Sequence, residues 1–188
     1  MGDLLFFLPP LFLFSVTTNP NPRVFFYLTI GHHPAGRMEI FVDSTPTTVE
    51  NFQALCIGEK GINTIGKPLH YKGSTFHSMV PRYMVHRGDI TNGNGTDGES
   101  IDSLTFANEN FVKKHIDLGI LSLAKTGTGG NGSQFFICTS KAEWLDRKQV
   151  TFGHTVEGFD VLKVVDKSGS ISGLTSKVLM AIDSGVLC

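Results

Sequence analysis

"GNGSQFFICTSKAEWLDRKQVTFGHTVEGFDVL", residues 130–162, is the stretch that decides the fold. It holds two short runs rich in aromatic and β-branched residues, "SQFFICT" (133–139) and "VTFGHTVEG" (150–158), each of strand length. "FDVLKVVDKSG" then reads as a short helix with Phe159, Leu162, Val164 and Val165 on one side. "GILSLA" (119–124) supplies another strand, and "FHSMVPRYMVHRGD" (76–89) reads as two more, broken at Pro81. "RVFFYLTIGHHPAGRMEIFVD" (23–43) is a hairpin around a Gly/His/Pro turn, and "SKVLMAIDSG" (176–185) closes the chain with a strand. "STPTTVENFQALCIGEKG" (44–61) is a helix of about three turns. Ser44 or Thr45 caps it, Pro46 suits its first position, and Gly58 and Gly61 stop it. Val49, Phe52, Ala54, Leu55 and Cys56 form its apolar face. Many short strands with two helices to plug the ends predict a small closed β-barrel.

A chain of 188 residues suits one domain. With 40% hydrophobic and 18% charged residues it is globular, and a net charge of -1 gives no general affinity for nucleic acid or anionic membrane. Fifteen Phe point to a Phe-rich core. Three cysteines without a CxxC argue against a disulfide framework, and seven histidines without an HExxH argue against a metal site. No cofactor is expected.

Residues 1–22 are set apart from the domain, 23–188, as an apolar extension and linker. "LLFFLPPLFLFSV" (4–16) is shorter than the roughly 20 residues of a membrane span. It has the length of a signal-peptide core, but Asp3 is acidic where a basic start is expected and no A-x-A-like site follows. The expected location is cytoplasmic; the alternative is the secretory pathway, with residues 1–22 as a signal peptide. The run Gly61–Lys67 nearly matches a phosphate-binding loop, but Pro68 offers neither hydroxyl nor N–H. It reads as a surface loop. Asn94-Gly-Thr96 and Asn131-Gly-Ser133 are sequons that matter only in the secretory path.

"NGSQFFICT", "EWLD" and "FGHTVEG", with "TPTTVENFQALCIGEKG" and the "FH" and "GD" of 76–89, resemble the cyclophilins, a family of peptidyl-prolyl cis-trans isomerases. The likeness spans about 23–188, and the loop "GKPLHYKGS" (66–74) is similar to that of the divergent-loop cyclophilins common in plants. It implies an eight-stranded antiparallel closed barrel capped by two α-helices. It implies isomerase activity on X-Pro bonds, assisting protein folding. Proline-containing peptides, unfolded proteins and the cyclic peptide cyclosporin A are the implied partners of a monomer. Carried over by position, Tyr83, Met84, Phe136 and Leu145 line the proline pocket. Gln134 and the backbone around Ala124, Lys125 and Thr126 hold the peptide, Trp144 stands where cyclosporin is contacted, and His77 matches the family's "FH". Gln149 stands where a histidine is usual.

The chemistry requires little from side chains. Twisting an amide costs about 18–20 kcal/mol because resonance is lost, and X-Pro exchange takes on the order of tens to hundreds of seconds. No proton is abstracted. The site must bind the twisted amide better than the planar forms. An apolar pocket grips the ring, and a donor meets the lone pair that twisting localises on nitrogen. The family supplies that donor from an arginine supported by a glutamine. Here those catalytic positions hold Ser78 and His86. Losing one preorganised donor typically costs about 10²–10³ in rate, so reduced activity is expected. The alternative is a catalytically impaired proline-peptide or cyclosporin-binding module or chaperone.

Strand alternation places Met84 and His86 on one face and Arg87 on the other. Arg82, on the Met84 side but beside Pro81, reads as a solvated surface residue; the alternative is that its long arm reaches the site. His86 is expected to change charge near neutrality. "HIDLG" (115–119) and Lys125 also depart from the usual pattern. Some divergent-loop members use a cysteine pair as a redox switch; Cys56 matches one partner, Ser184 stands at the other, and Cys188 lies four residues on. Glu99 matches the glutamate that tethers the divergent loop.

Overall fold

The computed structural model describes residues 22–125, 129–175 and 177–187. The expected extension (all but Pro22), Thr126 and Cys188 lie outside them. Among the described residues, eight strands and two α-helices follow in chain order: β1 Arg23–Ile30, β2 His33–Val42, α1 Pro46–Ile57, β3 Phe76–Val80, β4 Met84–Arg87, β5 Ile120–Lys125, β6 Asn131–Cys138, β7 Thr151–Glu157, α2 Phe159–Lys167 and β8 Leu179–Leu187, with a short 3₁₀ turn, Glu143–Leu145, between β6 and β7. All pairings are antiparallel, in the order β3-β4-β6-β5-β7-β2-β1-β8. The sheet curls until its two edges meet at the bridge of Thr75 with Met180, beside which Gly73 N donates to Ala181 O (2.8 Å) and Ala181 N to Ser74 O (3.2 Å). Among the described residues the expected barrel is therefore closed by this short contact rather than by a long ladder.

The β1–β2 turn is Gly31-His32, both with positive φ (55° and 68°). That conformation matches the twist of the flanking strands. α1 begins at Pro46 with Thr45 as its N-cap residue, and Gly58 ends it at φ 80°. Neither predicted hydroxyl caps it. Glu109, 61 residues away in sequence, does so instead: its carboxylate accepts from Thr48 N (2.7 Å), Thr47 N (3.0 Å) and the Thr48 hydroxyl (2.6 Å). The positive end of the helix dipole favours an anion there.

Val49, Phe52, Ala54, Leu55 and Cys56 are buried, as the helical spacing predicts. α2 differs from expectation. Val161, Leu162 and Val165 face inward, whereas Phe159 and Val164 are exposed. Its approach to β2 depends on Gly36, where a Cβ would lie 2.5 Å from Val161 Cγ2.

The interior is rich in Phe, as the composition suggests. Phe52 sits edge-on to Phe135 (5.0 Å between centroids) and Phe152 (4.9 Å), and Phe26 stacks on Phe135 at 6.0 Å. Such geometries add about 0.5–1.5 kcal/mol each beyond area burial. Among these rings lies Arg87, 0% exposed. Its guanidinium carbon is 4.6 Å from the Phe26 ring centre and 4.8 Å from that of Phe76. It donates to Tyr71 O (2.9 Å) and Ser74 Oγ (2.7 Å). Burial lowers its pKa to about 10.

Candidate active site

The outer face of β3, β4, β6 and β5 carries the residues singled out in the sequence. Alternation along β4 sends Val85 and Arg87 into the core and leaves Met84 and His86 outside. On β6, Phe135 and Ile137 belong to the core, while Phe136 and Cys138 join a separate outer cluster. That cluster unites Ala124, Phe136, Cys138 and Ala142 with Tyr83, Met84, Ile120 and Leu145. The register makes this possible, since Met84 pairs with Cys138 and His86 with Phe136. Five residues from four separate sequence segments, Tyr83, Met84, Ala124, Phe136 and Leu145, thus form one apolar surface.

A β-bulge sets the polar side. Phe76 pairs with Arg87 and Ser78 with His86, so two steps on β3 match one on β4 and His77 is the extra residue. Without it, Phe76 and Ser78 would point the same way. With it, Phe76 and Met79 are buried in the core, and Ser78 lies opposite His86 on the outer side. Ser78 Oγ lies against the turn at Gly173, where a Cβ would be 2.6 Å away.

The His77 and His86 rings are 4.5 Å apart. Burial, followed by the neighbouring His77 imidazole, lowers the His86 pKa to about 3. The expectation that His86 changes charge near neutrality is therefore corrected: it is a neutral imidazole across the physiological range. Burial also lowers the pKa of His77, against the opposing pull of Asp89.

Gln134 is fully buried. Its Nε2 donates to Asp97 O (2.6 Å) and Gly95 O (3.1 Å), which fixes the amide orientation and leaves Oε1 for any other partner. Lys125 is exposed at the end of β5, and Ala124 is buried beside it. Trp144 is 56% exposed and lies 5.7 Å from the Tyr83 ring. Gln149 donates its N–H to Leu145 O (3.1 Å), and its Oε1 is buried without a partner. Arg82 is exposed, with its N–H bound to Asp166 Oδ1 (2.9 Å) at the β3–β4 turn.

One contributor escaped the sequence reading. His115 is fully buried and lies nearly parallel to Phe136 at 6.0 Å. Its Nδ1 bonds Asp146 Oδ1 at 2.9 Å, and its Nε2 lies 3.0 Å from Ser122 Oγ. It backs the ring that floors the apolar surface. The only signal was its place in "HIDLG"; Ser122 is seven residues away, but Asp146 and Phe136 are more distant in sequence.

Glu99 accepts from Thr64 N (3.1 Å) and from the Thr64 hydroxyl, which ties the 58–74 loop to the 91–100 loop. Ser184 Oγ donates to Cys56 O (2.9 Å), so the position facing Cys56 carries a hydroxyl and no thiol. Burial raises the Cys56 pKa well above the usual thiol range. Lys67 of the near-phosphate loop donates its ammonium to Thr91 O. Among the described residues, no group of three or more His, Cys, Asp or Glu is placed to hold a metal, and no helix is long and apolar enough to cross a membrane.

The family model for cyclophilin-type peptidyl-prolyl cis-trans isomerases matches residues 26–181. That span runs from β1 into β8 and takes in the whole outer face just described. The match, the eight-stranded curled sheet and its two helices lead to one conclusion: this chain belongs to the cyclophilin-type peptidyl-prolyl cis-trans isomerases.

Proposed function

We propose that this chain isomerises X-Pro bonds in folding polypeptides, with turnover reduced by Ser78. The observation that carries the reading is the meeting of two unlike halves. The apolar half, Tyr83, Met84, Phe136 and Leu145, is assembled. The polar half, Ser78 opposite His86, carries no cation at neutral pH. In this reading the proline ring enters the apolar surface and the backbone at Ala124–Lys125 holds the peptide. Ser78 Oγ or a water it binds serves as the donor to the proline nitrogen. A neutral hydroxyl stabilises that developing lone pair less than a charged guanidinium does. Cyclosporin A uses the same surface with Trp144 at its rim, and the protein acts in the cytoplasm as a monomer.

The test is NMR exchange or a protease-coupled assay on an Ala-Pro peptide. Ser78→Arg is expected to raise kcat/KM by about 10²–10³, the scale of one preorganised donor. A wild-type rate equal to that of an arginine-bearing cyclophilin would refute the impaired site. Peptide binding with no gain from the arginine would make the chain a binding module. N-terminal sequencing of expressed protein tests the location: loss of about 20 residues marks a signal peptide.

A further inference from the structure

The loop after α2 is built onto the free edge of β3. Met79 N donates to Gly173 O (2.9 Å), and Ser170 N donates to Met79 O (3.1 Å). Within the loop, Gly173 N donates to Ser170 O (2.9 Å), and Ser170 Oγ donates to Leu174 O (2.6 Å). A Cβ on Gly169 would overlap the Met79 carbonyl oxygen. These bonds hold a tight turn over residues 170–173, with Ile171 at its tip. Turn tips ordinarily carry residues that water solvates well. Here Ile171 is 97% exposed and Leu174 73% exposed. The same turn lies against Ser78 Oγ, through Gly173.

A tight turn that presents two aliphatic side chains at the polar end of the cleft continues the substrate surface. We propose that Ile171 and Leu174 are specificity-determining residues, which select clients bearing an aliphatic or aromatic side chain two or three residues from the X-Pro bond. An extended peptide advances about 3.3 Å per residue, so two or three residues span roughly 7–10 Å, and the turn begins directly against Ser78 at the cleft, through Gly173. The backbone that carries Ile171 and Leu174 is already held by these bonds, so the loop itself needs no ordering to make the contact. The inference rests on the cleft reading above.

The experiment is an NMR titration of the full chain with Gly-Ala-Pro-Gly-Yaa-Gly and Gly-Yaa-Gly-Ala-Pro-Gly peptides, Yaa being Leu, Phe, Lys or Glu. Binding is read apart from turnover. Leu and Phe peptides of one series are expected to bind about five- to tenfold tighter than Lys or Glu peptides, the low end of a single apolar contact. They should also shift the Ile171 and Leu174 methyl signals. In Ile171→Ser/Leu174→Ser, whose exposed positions tolerate polar residues, the preference should vanish while the Lys peptide binds as before. Equal binding of all peptides, or a preference that survives in the double variant, would overturn the inference and leave the cleft standing. Failure of every peptide to bind would overturn the cleft reading and the inference with it.

Discussion

The imidazoles of His77 and His86 lie 4.5 Å apart and are tilted by 57°, with both nitrogens of His77 and Nε2 of His86 buried without a hydrogen-bond partner. Neither ring takes up a proton readily in the folded state. His86 has a folded pKa of about 3 against 6.5 for the free side chain. In acid the unfolded chain therefore binds the proton first. Stability from this group is complete above pH 6.5 and declines as pH falls from there towards 3. Between pH 6.5 and 5 the loss is about 2 kcal/mol. Urea unfolding at pH 7 and pH 5 measures it, and His86→Gln should reduce the difference, leaving the part due to His77, whose pKa burial also lowers. An unchanged difference in that variant would assign the acid sensitivity elsewhere.

Arg87 is a buried cation with no carboxylate partner among the described residues; two bonds to Tyr71 and Ser74 and the surrounding rings are its compensation. Its Nε and Nη1 have no partner. Replacing a buried ion pair with apolar residues of similar volume is often neutral or stabilising by about 1–4 kcal/mol, and removing Arg87 would leave no partner charge behind. Arg87→Met is expected to be at least as stable as wild type in chemical denaturation. A loss of about 3 kcal/mol or more, the scale of breaking a buried pair, would show that the ring and carbonyl contacts outweigh desolvation.

Glu109 gives α1 a cap that its own sequence lacks. Partial burial opposes ionisation, but the bonds from Thr48 and Thr47 outweigh it and hold the carboxyl below its usual range. The cap stabilises above the unfolded pKa and is lost as pH falls through the folded one. Glu109→Ala should cost about 1 kcal/mol at pH 7, the scale of a lost N-cap, and its cost should shrink in acid. A cost independent of pH would contradict the assignment.

Gly88 has φ 96°, and a Cβ there would overlap the Ser133 carbonyl oxygen. Ser133 Oγ donates to Gly88 O (2.5 Å), next to Gln134. Gly88→Ala is expected to lose more than the roughly 1–3 kcal/mol of a strained backbone, because β4 and β6 must also separate. Thermal unfolding checks the stability. Peptide titration should show weaker binding, since Gln134 moves with the strand. Full stability in the variant would refute the close packing.

The strands, the two helices and the face of α1 were legible because period-2 and period-3.6 patterns are local properties of the chain. The apolar half of the cleft was legible too, since Tyr83 and Met84, Phe136, and Leu145 stand in distinctive motifs. α2 was misread because Phe159 and Val164 fit a helical stripe, yet which stripe is buried depends on what Gly36 lets approach. The tertiary structure alone decided the bulge at His77, for a bulge exists only relative to a partner strand. It also decided the neutral state of His86, which desolvation and a neighbouring ring impose. The support of Phe136 by His115 and Asp146, and the cap from Glu109, join residues distant in the chain. The sequence carried the local periodicities and the residue types of the cleft. Pairing register and burial decided where the side chains point and which of them carry charge.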